Sequence, residues 1–283
     1  MDASDEFKGQ KPAWCPGCGN FGILTAWRRA MADLGLKPHQ LTVVSGIGQS
    51  GKFPHYTQCN TFNGLHGRTL PVATGIRLAN HEMPVAAFAG DGDCYGEGGN
   101  HFLHAMRRNI NVKLFVHDNQ VYGLTKGQAS PTSVVGMKTP VQPEGVLSDE
   151  MNPVALAVAM DCSFVARGFA GDLDQLAELM KAAMEHRGFS LVDIFQPCVT
   201  FNRLNTYQWY RERVRPLEAE YDPGDRVTAW QRALEFEDTI PTGILYRHER
   251  PTYEERVAAL AAGPLVKQPF DASKLAAAFR EFY

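Results

Sequence analysis

The sequence predicts an α/β protein built on a doubly wound, mostly parallel sheet with a C-terminal helical tail. Apolar runs of strand length alternate with stretches of helical periodicity, and glycines punctuate the joins. Strands are expected at residues 41–45, 85–89, 112–117, 164–167 and 190–195, each a short and largely apolar run. Helices fill the gaps in order: 21–34, stopped by Gly35; 70–79; 98–108; 153–160, opened by Pro153; and 173–187, stopped by Gly188. Beyond Cys198 comes an aromatic and basic stretch, 201–215, then amphipathic helical segments at 226–236, 253–262 and 272–282. These show no second core, so residues 1–200 are expected to form the α/β domain and 201–283 an extension packed on it or on a partner chain.

At 283 residues the chain has room for one large domain or two small ones. Folding at that length buries about three quarters of the unfolded surface without disulfides or metal staples, so a metal here is expected to be functional. The 28 Lys and Arg against 31 Asp and Glu leave a net charge of −3, which disfavours a nucleic-acid binder acting through bulk positive charge. The first twelve residues are polar and carry Asp2, Asp5 and Glu6, not a basic and then apolar leader, and no apolar run is long enough to span a bilayer. A cytoplasmic protein without nucleic-acid or membrane partners is expected.

In open parallel sheets the ligand sits beyond the carboxyl ends of the strands. Those ends carry Ser45, Gly46, Ile47 and Gly48; then Gly90, Asp91, Gly92 and Asp93; then Asp118, Asn119 and Gln120; and finally Gln196, Pro197 and Cys198. Glycine there lets the backbone approach a ligand and aim its amides at it. Asn119 follows Asp91 by 28 residues, the length of one β-α-β unit, so the two cap neighbouring strands about 4.8 Å apart. Mg²⁺ takes near-octahedral oxygen ligands, which Asp91, Asn119, the Val121 carbonyl and a diphosphate would supply. Asp and Asn are also turn formers, and either residue alone is better read that way. The pair at this spacing, flanked by glycines, points to an ion and a diphosphate.

Six cysteines scattered through a chain with no leader do not suggest a disulfide framework. Cys94 and Cys162 read as small buried hydrophobes. Cys15 and Cys18, before the first helix, can grip one metal from a tight turn, although a lone pair also fits a zinc knuckle, a thioredoxin-like couple or coincidence. A four-sulfur site needs two more thiols. Cys198 is the best third, because it follows a strand on the same edge.

The motifs taken together are Trp14, Cys15, Cys18 and Gly19; Leu65 to Arg68; Gly90 to Asp93; His117 to Asn119; Tyr122 to Thr132; and Gln196 to Cys198. In this order they resemble the β subunit of a 2-oxoacid:ferredoxin oxidoreductase, from about residue 14 to 202. The resemblance implies a sheet of the thiamine diphosphate-binding type. It further implies Mg²⁺ at Asp91, Asn119 and Val121, and cofactor contacts at Ile47, Gly48, His66, Gly90, Asp91, Gly92, Asp93, Asn119, Val121, Gly123 and Leu124. Cys15, Cys18 and Cys198 would help to hold a [4Fe–4S] cluster. A thiamine diphosphate site forms between a diphosphate-binding and a pyrimidine-binding domain, and this chain holds only the first. The glutamate that activates the pyrimidine is then implied on a separate α subunit, in an αβ or (αβ)₂ assembly, and the isolated chain is expected to be inactive.

One departure stands out. The family commonly has cysteine where this chain has Gln49, and an amide is a poor iron ligand beside a thiolate. Cys59, in the loop expected to fold over the same edge, is expected to replace it; a three-cysteine cluster or a lost one are the alternatives.

Gly46, Gly51 and Lys52 nearly spell a phosphate-binding P-loop, but Phe53 stands where the metal-ligating hydroxyl belongs. By resemblance Lys52 faces the substrate instead, and with Lys126 it would pair with two carboxylates. Residues 124–128 resemble the 2-oxoglutarate type more than the pyruvate type. Substrate contacts are thus expected at Lys52, Arg68, Leu124 and Lys126, and catalytic roles at His66, Lys52 and Lys126. The His66 imidazole suits proton transfer beside the cofactor, although a histidine before a helix is as often bonded to backbone, and Arg68 could equally be structural. The implied reaction is oxidative decarboxylation of 2-oxoglutarate with coenzyme A to succinyl-CoA and CO₂, electrons passing to ferredoxin, or the reverse reductive carboxylation. Two other readings stay open: a non-redox thiamine diphosphate decarboxylase or ligase half, and a cluster- or zinc-binding electron-transfer or structural module.

Overall fold

The apolar runs become strands because each is buried on both faces. A computed structural model describes residues 3–282. Its sheet centre consists of β1 (Thr42–Ser45), β3 (Val85–Gly90), β4 (Lys113–Asp118), β8 (Ser190–Phe195) and β7 (Phe164–Phe169), preceded at one edge by β2 (Asn60–Asn63). Their pairings are all parallel, with Phe88 opposite Phe115, Val116 opposite Asp193, and Asp193 opposite Arg167. Helices cover both faces. On one, α1 (Asn20–Asp33) packs on α6 (Leu173–Glu185), and the fully buried Trp27 meets Phe53, Phe88 and Phe115 edge-on. Burying each such side chain is worth roughly 1.5–3 kcal/mol. On the other face lie α3 (Thr69–Ala79), α4 (Gly99–Arg108), α5 (Pro153–Ala159) and α8 (Arg226–Leu234).

Four features depart from the expectation. A short helix, α2 (Phe53–Tyr56), and the polar, exposed edge strand β2 occupy what reads as loop in the sequence. The Tyr122 region folds as a hairpin of β5 (Val121–Tyr122) and β6 (Gln128–Ala129). The segment after Cys198 contributes α7 (Tyr207–Arg213), β9 (Val214–Pro216) and β10 (Ile240–Arg247), and β10 joins the main sheet antiparallel to β7. Residues 253–262 form two 3₁₀ turns in place of a helix, because the Glu254 carboxylate is tied to Arg77 Nε at 2.6 Å and accepts from the Asn111 N–H at 3.2 Å. The last helix, α9 (Ala272–Arg280), lies exposed. Among the described residues no helix is long and apolar enough to cross a membrane.

Candidate active site

The carboxyl edge of the sheet opens into a cleft between the loops after β1, β3 and β4. Ile47, Gly48, His66, Gly90, Asp91, Gly92, Asp93, Asn119, Val121, Gly123 and Leu124 all line it, together with Gln49, Ser50, Tyr122 and Thr125. The two carboxylates after β3 have different surroundings. Asp93 accepts hydrogen bonds from the backbone N–H of Ile47 (3.0 Å) and of Gly67 (2.8 Å) and from the Thr69 hydroxyl (3.0 Å), so it ties three segments into one floor. Asp91 is fully buried and accepts only from hydroxyls among side chains, those of Ser130 and Thr132. Burial pushes its carboxyl up to about 6. Asn119 donates from Nδ2 to Gln196 Oε1 at 2.8 Å, which turns its Oδ1 toward the Val121 N–H at 3.1 Å.

Behind Asp91 sits a group of buried acids. Thr132 Oγ1 lies 2.8 Å from both Asp91 Oδ2 and Asp118 Oδ1. Its single proton satisfies one of them, and a proton kept on Asp118 satisfies the other, in line with the strong upward push that burial and the neighbouring Asp193 give Asp118. Asp193 is raised by burial to about 6 while accepting from Tyr95 OH at 2.6 Å, and Arg167, buried opposite it, is the cation beside this group. Ser130, Thr132, Tyr95 and Arg167 back the cleft without lining it, and the sequence reading assigned none of them a role, although Ser130 and Thr132 fall within the Tyr122–Thr132 motif. Only the Ser and Thr in the stretch after Lys126 offered a signal.

Next to the cleft, Cys15, Cys18 and Cys198 line a second pocket with Trp14, Asn20 and Gln196; Gln49, Asn119 and Gly123 belong to both. Pro16 and Gly17 make the turn that faces the first two cysteines the same way. Gly17 has φ +81°, and the Cys18 N–H donates to Cys15 O at 3.0 Å, a type II arrangement. Gly19 lets this turn touch the Cys198 loop, since a Cβ there would meet the Pro197 nitrogen at 3.1 Å. Gln196 Nε2 lies 3.4 Å from Cys18 Sγ, so one side chain links the Asn119 carboxamide to a thiol. Burial pushes Cys18 up to about 11, with Cys198 and Cys15 adding to it.

Cys59 is not brought to this pocket, contrary to the expectation. It directly precedes β2, whose first residue pairs with Thr42 at the amino end of β1, while Gln49 follows the carboxyl end. At roughly 3.3 Å per residue, β1 alone separates the two ends by about 10 Å. Its half-buried thiol is pushed by burial up to about 12 and is bonded near Thr57 and Val43. Among the described residues no three His, Cys, Asp or Glu side chains converge closely enough to hold a single metal ion.

The predicted basic residues fare differently. His66 lines the cleft, with Nε2 3.3 Å from Glu97 and 3.7 Å from Asp93. Lys52, in a 3₁₀ turn, and the exposed Lys126, at φ +79°, stand outside the lining, as does the exposed Arg68. His117 is buried away from the cleft; its Nδ1 lies 2.7 Å from Asn20 Oδ1, and burial pushes its imidazole down to about 3.

Known proteins share this fold and much of this sequence. The family model described as thiamine pyrophosphate enzyme, C-terminal TPP binding domain, matches residues 43–194, and the model for the C-terminal part of the pyruvate ferredoxin oxidoreductase beta chain matches residues 198–262. The chain thus carries a thiamine diphosphate-binding domain of an oxidoreductase. A 2-oxoacid:ferredoxin oxidoreductase subunit beta from Sulfolobus sp. is 46% identical over 260 residues, 87% of this chain and 85% of the relative. The 2-oxoglutarate oxidoreductase subunit KorB of Mycobacterium tuberculosis is 46% identical over 193 residues, 68% of this chain and 52% of that protein. A solved 2-oxoglutarate:ferredoxin oxidoreductase from Magnetococcus marinus, with 2-oxoglutarate, coenzyme A and succinyl-CoA bound, superposes with a TM-score of 0.91 at 38% identity, covering 98% of this chain and 95% of that one. This chain belongs to the β subunits of the 2-oxoacid:ferredoxin oxidoreductases.

Proposed function

We propose that the chain acts with an α subunit on 2-oxoglutarate and coenzyme A, yielding succinyl-CoA and CO₂ and passing electrons through an iron–sulfur cluster to ferredoxin, or running the same sequence in reverse. The observation that carries this reading is the shared wall: the cleft and the three-cysteine pocket have Gln49, Asn119 and Gly123 in common. A one-electron acceptor in the pocket would therefore border the reacting cofactor.

The residues fit the groups. Asp91 is a buried carboxylate with only hydroxyl side-chain partners, Asn119 Oδ1 keeps a second lone pair, and the Val121 carbonyl follows the same turn. These three would hold Mg²⁺, leaving its other positions to phosphate oxygens. When bound, thiamine diphosphate supplies the carbon nucleophile and the electron sink for loss of CO₂. Asp93 keeps the Ile47 and Gly67 segments in place around it. His66, between Glu97 and Asp93, is assigned the proton exchange with the bound substrate. Leu124 and Thr125 line the mouth, and Lys126 on the same turn is the cation assigned to the distal carboxylate, with Lys52 and Arg68 assigned supporting substrate contacts. The 2-oxoglutarate named for several relatives supports that substrate.

The test is to purify the chain with its α partner without oxygen and to measure thiamine diphosphate, magnesium and iron, and the visible spectrum before and after adding 2-oxoglutarate and coenzyme A. Bleaching by substrate is expected, with Lys126→Met raising KM for 2-oxoglutarate more than for pyruvate. Bound thiamine diphosphate without iron would replace the reading with a non-redox decarboxylase or ligase.

A further inference from the structure

We propose that the cluster of this chain is held by three thiolates, Cys15, Cys18 and Cys198, with the Gln49 carboxamide oxygen over the fourth corner, so that one of its irons is labile. The inference rests on the cluster reading above and deepens it.

Its basis is what surrounds the pocket. Gln49 lines it with the three cysteines. Trp14 Nε1 donates to Gln49 O at 2.9 Å, fixing that backbone against the segment that carries Cys15 and Cys18. Gln49 Oε1 is buried and has no hydrogen-bond partner, which is costly for a carbonyl oxygen unless something in the pocket meets it. No other thiol is within reach. Cys59 lies at the opposite end of β1, Cys94 is buried in the π-helical turn Gly92–Glu97 under the sheet, and Cys162 is buried before β7. An amide oxygen is a hard, neutral donor, a weak ligand for cluster iron compared with the soft thiolates at the other corners.

The chemistry that follows is specific. One-electron oxidation of [4Fe–4S]²⁺ at such a corner gives [3Fe–4S]⁺ and releases Fe²⁺, the electron going to the added oxidant. A fourth thiolate resists that loss.

The experiment uses the anaerobically purified αβ complex in three forms: unaltered, Gln49→Cys and Cys59→Ala. Iron, sulfide, thiamine diphosphate and the electron paramagnetic resonance spectrum are recorded before and after ferricyanide. The unaltered complex is expected to fall from about four irons per αβ pair to about three and to gain the signal of an oxidised three-iron cluster. Gln49→Cys should keep about four irons and stay silent when oxidised. Cys59→Ala should behave as the unaltered complex. A cluster that survives ferricyanide intact in the unaltered complex, or that is lost in Cys59→Ala, overturns the inference and leaves the redox reading standing. Thiamine diphosphate without iron in the unaltered complex overturns both, and should Gln49→Cys fail to keep its cofactor, the other two forms still decide.

Discussion

At the scale of single residues, the two carboxylates after β3 show how position two apart in sequence separates chemistry from scaffolding. Asp91 is buried beside two hydroxyls that donate to it, and no cation stands among its described side-chain partners. Asp93 is satisfied by two backbone amides and a hydroxyl. Asp91→Asn should therefore weaken Mg²⁺-dependent cofactor binding in the αβ complex by at least about tenfold, while leaving the thermal midpoint of the cofactor-free protein unchanged or higher, because an unpaired buried charge is removed. Asp93→Ala should do the reverse in kind. It leaves three donors without an acceptor, costs about 3 kcal/mol and lowers the midpoint of the cofactor-free protein as well. Calorimetry with and without cofactor separates the two, and equal midpoints for both variants would erase the distinction.

At the scale of elements, what was legible in the sequence is what burial on two faces dictates. The central strands fall within about two residues of their expected ends because a run such as Val85 to Ala89 has no polar side that could face water. Residues at the strand ends were legible for the same reason: topology alone brings Gly48, Asp91 and Asn119 to one cleft. The exposed strand β2 carries no such pattern, and missing it moved Cys59 to the wrong edge. Ser130 and Thr132 reach Asp91 only through the β5–β6 hairpin, a return that spacing does not encode. The same sheet stores a pH dependence. Asp193 on β8 is raised by burial to about 6, against an ordinary value near 3.9 in the unfolded chain. Between about pH 4 and 6 the folded form thus keeps a proton that the unfolded form releases, so this group lowers stability as pH rises through that window. Asp193→Asn still accepts from Tyr95 OH but cannot ionise. Its thermal midpoint, followed from pH 4 to 7, should fall less steeply than that of the unaltered chain, and an unchanged slope would assign the effect to Asp118.

At the scale of the whole molecule, the described chain leaves several large apolar side chains exposed. Leu65, next to His66, is 75% exposed, and Phe62 and Leu124 are exposed near the same edge, an apolar rim of the kind that marks an interaction surface. The tail makes a sharper case. Helix α9 has nine residues, too few to hold helical form alone in water. Leu275 and Phe279 lie one turn apart on this helix and Phe282 follows its end; all three are exposed. The described residues leave these side chains uncovered, and the expectation that the tail packs on a partner chain predicts that the α subunit covers them. Removing residues 269–283 should then leave the thermal midpoint of the isolated chain unchanged while weakening its association with the α subunit by about tenfold or more, since three large side chains each contribute roughly 1.5–3 kcal/mol when buried. Analytical ultracentrifugation of the full and shortened chains with the α subunit measures this, and equal affinity would mean that these side chains pack elsewhere.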